Sequence, residues 1–188
     1  QWSSGPTLPG EVNHGTAITV NGKILLIGGR NSSDQVINQV LELDPATNQW
    51  SQKTAMPTER HAHKLVLLEG RVWAIGGADD SESAKVEIYD VDQDSWTSGP
   101  SLTTARHWTS AWVANGSIYV AGGDKRDPLV YLDSIERYDP VANQWIAEGV
   151  LPETKSYADA VVLNEKVYLV GGAGDSGRSD KVYTVNVL

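Results

Sequence analysis

The four histidines are the side chains of this chain best suited to acid–base or metal chemistry. They are His14, His61, His63 and His107. His61 and His63 are two residues apart, so in a β-strand their imidazoles would face the same side, and three imidazoles near one point could bind zinc. No carboxylate stands at the spacing of a metal site, and the chain has no cysteine. We therefore predict no metal and no cofactor.

Basic residues form a second set with chemical capacity. Arg60, Arg106 and Lys155 each stand 16 residues before a pair of glycines, and Arg30, Arg126 and Arg178 lie in polar segments after such pairs. A guanidinium can bind a carboxylate through two parallel hydrogen bonds, so this pattern predicts a surface that binds an anionic ligand. The predicted binding residues are Arg30, Ser32, Arg60, His61, Arg106, His107, Arg126, Lys155, Tyr157 and Arg178.

Acidic residues in the same segments support a second interpretation, in which this surface is charged and solvated but binds nothing. The aspartates concerned are Asp34, Asp79, Asp80, Asp124, Asp127, Asp175 and Asp180. The whole chain of 188 residues has a formal net charge of −9. A basic surface can still attract an anion, because the local potential rather than the total charge steers an encounter.

The glycine pairs belong to a repeat that must position all these residues. The pairs begin at Gly28, Gly76, Gly122 and Gly171, and each first glycine follows a tryptophan by 26 residues. The tryptophans are Trp2, Trp50, Trp96 and Trp145. A period of about 47 residues is typical of repeat proteins, in which each unit buries its apolar face against its neighbours.

Each repeat predicts four short β-strands and no helix. Before each glycine pair, two apolar runs rich in β-branched residues flank a two-residue turn, such as Asn21-Gly22 or Asn115-Gly116. Asn-Gly is favoured in the type I′ turn of a β-hairpin. A third apolar run follows the polar segment, and a turn that begins with Asp leads to the tryptophan of a fourth strand. Because the first two strands are antiparallel, Arg60 and its equivalents should share one end of the sheet with the polar loops.

The order Gly-Gly, Tyr-Asp-Pro, Trp resembles the kelch repeat. Gly122-Gly123, Tyr138-Asp139-Pro140 and Trp145 match it best. The resemblance implies an all-β, kelch-type β-propeller with four blades of four antiparallel strands, in a single domain of residues 1–188. The predicted blades are 12–53, 60–99, 106–148 and 155–188, and the last is completed by residues 1–5. A last blade that takes its outer strand from the N-terminus is familiar in this family.

The strand count leaves three interpretations of how the blades close. The chain could form a four-bladed ring by itself, or belong to a larger propeller completed by another chain, such as a two-fold pair with eight blades. It could also be an engineered or excised fragment. A monomer and a two-fold pair both remain open.

The resemblance also implies what the surface does. In the kelch adaptors of cullin ubiquitin ligases, similarly placed arginines grip acidic peptides, and Gly28–Ser33 looks like the corresponding loop of the stress-sensing adaptor among them. We expect a non-catalytic module that recognises a protein or peptide, with an acidic ligand on the loop face. The alternatives are a mutarotase or epimerase of a sialic-acid-like sugar, with His61 or His107 transferring the proton, and a bare structural propeller.

Composition argues against two classes of partner and leaves the compartment unknown. The net charge of −9 argues against nucleic acid and against an anionic membrane surface. No apolar run approaches the roughly 18 residues of a membrane span, and no segment has the pattern of a signal peptide.

Overall fold

A computed structural model describes residues 1–79 and 81–187, and this part of the chain contains β-strands but no helix. Asp80, one of the predicted loop aspartates, and Leu188, the end of the last predicted blade, lie outside the described residues. No described segment is a helix long and apolar enough to cross a membrane.

Four antiparallel sheets follow one another along the chain as four blades. Blade 1 contains β1 (Thr16–Val20), β2 (Lys23–Arg30), β3 (Val36–Asp44) and β4 (Gln49–Lys53). Blade 2 contains β5 (Lys64–Leu68), β6 (Arg71–Ile75), β7 (Val86–Asp90) and β8 (Ser95–Ser98). Blade 3 contains β9 (Ser110–Ala114), β10 (Ser117–Ala121), β13 (Ser134–Asp139) and β14 (Gln144–Val150). Blade 4 contains β15 (Asp159–Leu163), β16 (Lys166–Val170) and β19 (Val182–Asn186).

Two small hairpins project from the loops that join the second and third strands of blades 3 and 4. They are formed by β11 (Asp124–Arg126) with β12 (Leu129–Tyr131), and by β17 (Ala173–Gly174) with β18 (Gly177–Arg178). The all-β class and the propeller arrangement of four blades are thus confirmed.

The turn between the first two strands has the predicted chemistry. Asn21 and Gly22 both have positive φ, at 50° and 74°, and connect β1 to β2. Both central residues of a type I′ turn need positive φ, which asparagine and glycine tolerate best.

The core lies between neighbouring blades rather than within any one of them. One apolar cluster joins blades 1 and 2, with Ile27 and Val72 among its members. A second joins blades 2 and 3, where the rings of Trp73 and Tyr138 are 4.8 Å apart. A third joins Trp112 of blade 3 to Val167 of blade 4. Each blade is therefore stabilised mainly by its neighbours, as expected for a repeat protein.

The glycine pairs set how closely successive blades approach. Gly76 has a φ of +64°, and a Cβ placed on it would lie 2.6 Å from the carbonyl oxygen of Arg106 in the next blade. The following residue, Gly77, donates its N–H to that same oxygen at 3.0 Å. A side chain would block this contact, so the pairs serve packing between blades.

The predicted closure by residues 1–5 is not formed in the described part of the chain. These residues lie in no strand, Trp2 is fully exposed, and blade 4 has three strands. Backbone hydrogen bonds join the blades near the axis from Tyr157 to Trp108, from Trp108 to Ala62 and from Ala62 to His14, with no fourth bond among the described residues from blade 4 to blade 1. The rotation from each blade to the next does not complete a circle in four steps, so the N-terminal segment does not reach β19.

Candidate functional site

Three of the predicted binding residues are buried, which corrects their assignment to an exposed surface. Arg60, Arg106 and Lys155 are at most 2% exposed. Nη2 of Arg60 lies 2.6 Å from Oε2 of Glu87, and Nη2 of Arg106 lies 2.6 Å from Oε1 of Glu136. An anionic ligand cannot reach these guanidinium groups.

The same residues join the start of each blade to its inner strands. Nη1 of Arg60 donates to the carbonyl oxygens of Gly76 and Lys85, both at 3.0 Å. Burial lowers the pKa of Arg60, and the charge of Glu87 opposes this. Hydrogen-bonded pairing is what makes two buried charges tolerable, so a structural role explains why a basic residue recurs at this position.

Four predicted residues do come together, in a cavity of about 240 Å³ at the loop end of blades 1 to 3. We call this the rim pocket and define it by Arg30, His61, His107 and Arg126. Arg30 ends β2 and Arg126 ends β11, and each histidine stands just before the first strand of its blade. The sequence predicted this grouping because the loops and the strand starts share one end of the blades.

Arg30 and His61 form the first of two pairs in the rim pocket. Nη2 of Arg30 lies 2.8 Å from Nε2 of His61, while Nη1 donates to the carbonyl oxygen of Asp34 at 2.8 Å. Burial, and then the charge of Arg30, lower the pKa of His61 to about 4. The imidazole is therefore neutral at pH 7, and its Nε2 accepts a hydrogen bond from the guanidinium.

Arg126 and His107 form the second pair, which is anchored by a buried carboxylate. Nε of Arg126 donates to Nε2 of His107 at 2.6 Å. Nδ1 of His107 lies 2.8 Å from the carbonyl oxygen of Asp124 and 3.1 Å from its Oδ1. The carboxylate of Asp124 also accepts a hydrogen bond from the hydroxyl of Ser156. The series from Ser156 to Arg126 fixes the exposed guanidinium at the pocket entrance.

Acidic side chains share the rim pocket with the two arginines. Asp79, Glu82 and Asp127 line it. The pocket is therefore not uniformly positive, and a ligand must place its anionic group near Arg30 or Arg126 rather than anywhere on the rim.

A second cavity, of about 370 Å³, lies on the axis where the first strands of all four blades begin. Its aromatic lining includes Trp108, whose ring centroid is 4.8 Å from that of Tyr157 and 5.0 Å from that of His14. All three residues have positive φ, between 49° and 59°. Such a conformation is uncommon for bulky residues, and here it recurs at one repeat position because the backbone bonds between blades impose it.

His61 and His63 diverge, which corrects the expectation that they face the same side. Ala62 between them has a φ of +53°, so the segment is not an extended strand. His61 lines the rim pocket, whereas His63 is buried beside the axial cavity, with both ring nitrogens unpartnered in the described part of the chain. In residues 1–79 and 81–187 no group of three or more His, Asp or Glu has the arrangement of a metal site.

The remaining predicted residues are separated from the rim pocket. Ser32 lies in an exposed loop beside a shallow cavity on the other side of Arg30. Arg178 is exposed on β18. Tyr157 lines the axial cavity, and its pKa is raised by burial and by Asp124 while Arg126 opposes the shift, which places it between the two cavities.

Asp124 and Ser156 are the residues that sequence reasoning missed. Asp124 follows a glycine pair, and Ser156 takes the repeat position of His61 and His107. That shared position was the available signal, because side chains at one repeat position in neighbouring blades lie side by side at the axis.

Comparison with known protein families agrees with this architecture. A family model described as "Kelch motif" matches residues 12–57, and a second model of the same description matches residues 59–103 and 109–147. The chain belongs to the kelch-repeat family.

Similar proteins include much longer chains from several kingdoms. Beta-scruin of Limulus polyphemus is 31% identical over 109 residues, which are 55% of this chain and 12% of scruin. Kelch-like protein 35 of Mus musculus is 36% identical over 53% of this chain and 17% of its own length. An F-box/kelch-repeat protein of Arabidopsis thaliana is 34% identical over 49% of this chain and 25% of its own length. The chain thus corresponds to a quarter or less of these relatives.

A solved structure, that of YjhT, has the same fold. It superposes with a TM-score of 0.85 over 97% of this chain and 65% of YjhT, at 19% sequence identity. About a third of YjhT has no counterpart in the chain, in agreement with a propeller whose ring is open.

Proposed function

We propose that this kelch chain is a non-catalytic recognition module whose rim pocket binds a carboxylate of a partner protein or peptide. The pairing of Arg30 and Arg126 with two imidazoles is the observation that carries the proposal. Each guanidinium is held by a side chain that is itself fixed by burial, so little conformational entropy is lost when an anion binds.

The two pairs suit a planar anion such as the carboxylate of Asp or Glu. Neutral His61 holds Arg30 without cancelling its charge, and Arg126 uses only Nε in its bond with His107. A guanidinium that keeps its charge and its terminal nitrogens can form paired hydrogen bonds with a carboxylate. The kelch-like relatives are consistent with protein recognition, and an acidic partner is our inference from the pocket.

Acid–base catalysis on a sugar acid is the less favoured alternative. A general acid or base works best when its pKa lies near the working pH. The pKa of His61 is lowered to about 4, and Nε2 of His107 already accepts a hydrogen bond from Arg126. Neither imidazole is therefore well placed to exchange a proton with a substrate. A mutarotation assay on sialic acid tests this alternative directly.

Fluorescence anisotropy with a labelled peptide library that varies in Asp and Glu content tests the proposal. We expect acidic peptides to bind, and Arg126→Lys to weaken binding about tenfold, because lysine lacks the planar fork. Raising the salt concentration should weaken binding further.

Arg71→Lys is the matched control for this experiment. Arg71 begins β6 at the opposite end of blade 2, and its side chain is exposed. Equal losses in the Arg71 and Arg126 variants, or no preference for acidic peptides, would contradict the proposal.

A further inference from the structure

Blade 4 exposes apolar side chains that the other blades bury. Leu163, Val170 and Val185 are 59%, 47% and 60% exposed. Their repeat equivalents in blade 2 are Leu68, Ile75 and Tyr89, all of which are buried. The equivalents are buried because the following blade packs against them, so the face of blade 4 lacks the blade that would cover it.

The glycine pair of blade 4 shows the same vacancy at the level of the backbone. Gly28 and Gly76 lie against the carbonyl oxygens of Arg60 and Arg106 in the next blade, whereas a Cβ on Gly171 would find nothing closer than 3.8 Å. In the first three blades the second glycine donates its N–H across the boundary to the next blade. No such bond is made by Gly172 within the described residues.

Blade 1 has the complementary open face. Leu26 is only partly buried and Ala17 is exposed, whereas their equivalents in blade 2, Ala74 and Leu65, are buried against blade 1. At the position of Arg60, Arg106 and Lys155, blade 1 has Val12. The carbonyl oxygen of Val12 thus stands where the preceding blade would place its glycine pair.

The N-terminal segment is an outer strand without a sheet. Residues 1–6, Gln-Trp-Ser-Ser-Gly-Pro, resemble residues 95–100, Ser-Trp-Thr-Ser-Gly-Pro, which contain β8. Nε1 of Trp50 donates to the carbonyl oxygen of Pro6 at 3.2 Å, just as Nε1 of Trp145 donates to that of Pro100 at 2.9 Å. The segment therefore lies where the outer strand of a blade preceding blade 1 ends, while Trp2 itself contacts no sheet.

We propose that the open face of blade 4 binds a second copy of this chain, with residues 1–5 of each copy adding as the fourth strand to β19 of the other. Trp2 of one copy packs on Val185 of its partner copy, at the position where Trp96 pairs with Tyr89 in blade 2. The N–H of Gly172 donates to the carbonyl oxygen of Val12 across the same boundary. A second copy is the occupant because each chain has both a face of the blade 4 type and the face of the blade 1 type that fits it. A two-fold pair joined in this way leaves neither face exposed.

The mass of the chain in solution tests this interface. Sedimentation velocity from 1 to 100 µM should show a species of twice 20.3 kDa that dissociates on dilution. Trp2→Ala and Val185→Asp should each raise the dissociation constant at least tenfold. The control is Val141→Asp, because Val141 is 95% exposed in the β13–β14 turn, away from both faces. It should leave the dissociation constant unchanged.

Mixing the two variants separates loss of the interface from misfolding. A Val185→Asp copy still offers Trp2, and a Trp2→Ala copy still offers Val185, so one of the two junctions in the mixed pair is intact. We expect the mixture to dimerise more tightly than either variant alone. A wild-type monomer at 100 µM, including one that binds its own residues 1–5, would overturn the proposal. So would a dimer that both substitutions leave intact, or a mixture no tighter than its components.

Discussion

At the scale of single residues, the histidines are neutral groups of the folded protein rather than metal ligands. His63 is buried among the first strands, and burial, followed by the charge of Arg60, lowers its pKa to about 3. The ring is accommodated because it carries no charge. Its contribution to stability must therefore depend on pH.

We predict that the protein loses stability as the pH falls below about 6.5. Unfolded histidine binds a proton near pH 6.5, whereas folded His63 does so only near pH 3. Between these values the unfolded state holds more protons, so the free energy of unfolding falls by about 1.4 kcal/mol per pH unit for this residue. His61, with a pKa of about 4, adds to the slope.

Urea unfolding at pH 7, 6, 5.5 and 5 measures this slope. The carboxylate with the largest shift, Glu153, has a pKa of about 2 and acts below its ordinary value of 4.5, outside this window. His63→Gln should reduce the slope by about 1.4 kcal/mol per pH unit. A variant with the wild-type slope would show that His63 does not titrate in this way.

At the scale of the structural elements, the glycine pair is the contact that joins one blade to the next. The first glycine of every pair has a φ between +61° and +67°, so alanine would be strained at each of them. Only in blades 1 to 3 would the added Cβ also collide with the neighbouring blade. Blade 4 therefore provides an internal control.

We predict that Gly76→Ala destabilises the protein more than Gly171→Ala does. Both substitutions incur about 1–2 kcal/mol of backbone strain, but only the first places a Cβ 2.6 Å from a carbonyl oxygen of the next blade. The difference should be at least about 1 kcal/mol in urea unfolding. The comparison is made in Trp2→Ala protein, so that a second copy does not cover Gly171. Equal midpoints and slopes would mean that the pair does not set the spacing of the blades.

At the scale of the whole molecule, the chain is a series of blades with unequal support. Blades 2 and 3 are packed on both sides, whereas blade 4 has a neighbour on one side and three strands. In a repeat protein, stability is approximately the sum of the units and their nearest-neighbour interfaces. A blade with one interface should open more often than a blade with two.

Hydrogen exchange should therefore be faster in blade 4 than in blade 2. We expect amides of β16 in monomeric Trp2→Ala protein to exchange at least tenfold faster than those of β6, the equivalent strand. Mass spectrometry of peptic fragments gives both rates in one sample. Uniform protection would indicate that the four blades unfold as one cooperative unit.

The repeat itself determined most of the fold. The constant spacing from tryptophan to glycine pair, the Asn-Gly turn and the apolar runs predicted four blades and their strand order, because these features act locally within 20 to 30 residues. They also placed Arg30, His61, His107 and Arg126 at one end of the molecule. Local chemistry is enough for such predictions, since strand alternation and turn type depend on neighbouring residues.

Tertiary structure alone decided which charges are available and whether the ring closes. Arg60 and Arg126 look equally suited to an anion in the sequence, but Arg60 lies opposite Glu87 and is buried, whereas Arg126 is exposed. That distinction depends on partners 20 or more residues away, which no local pattern identifies. Closure likewise depends on the angle between successive blades, and small rotations add up from blade to blade. Four strand sets can therefore be counted from the sequence, while the gap between blade 4 and blade 1 appears only when the blades are packed together.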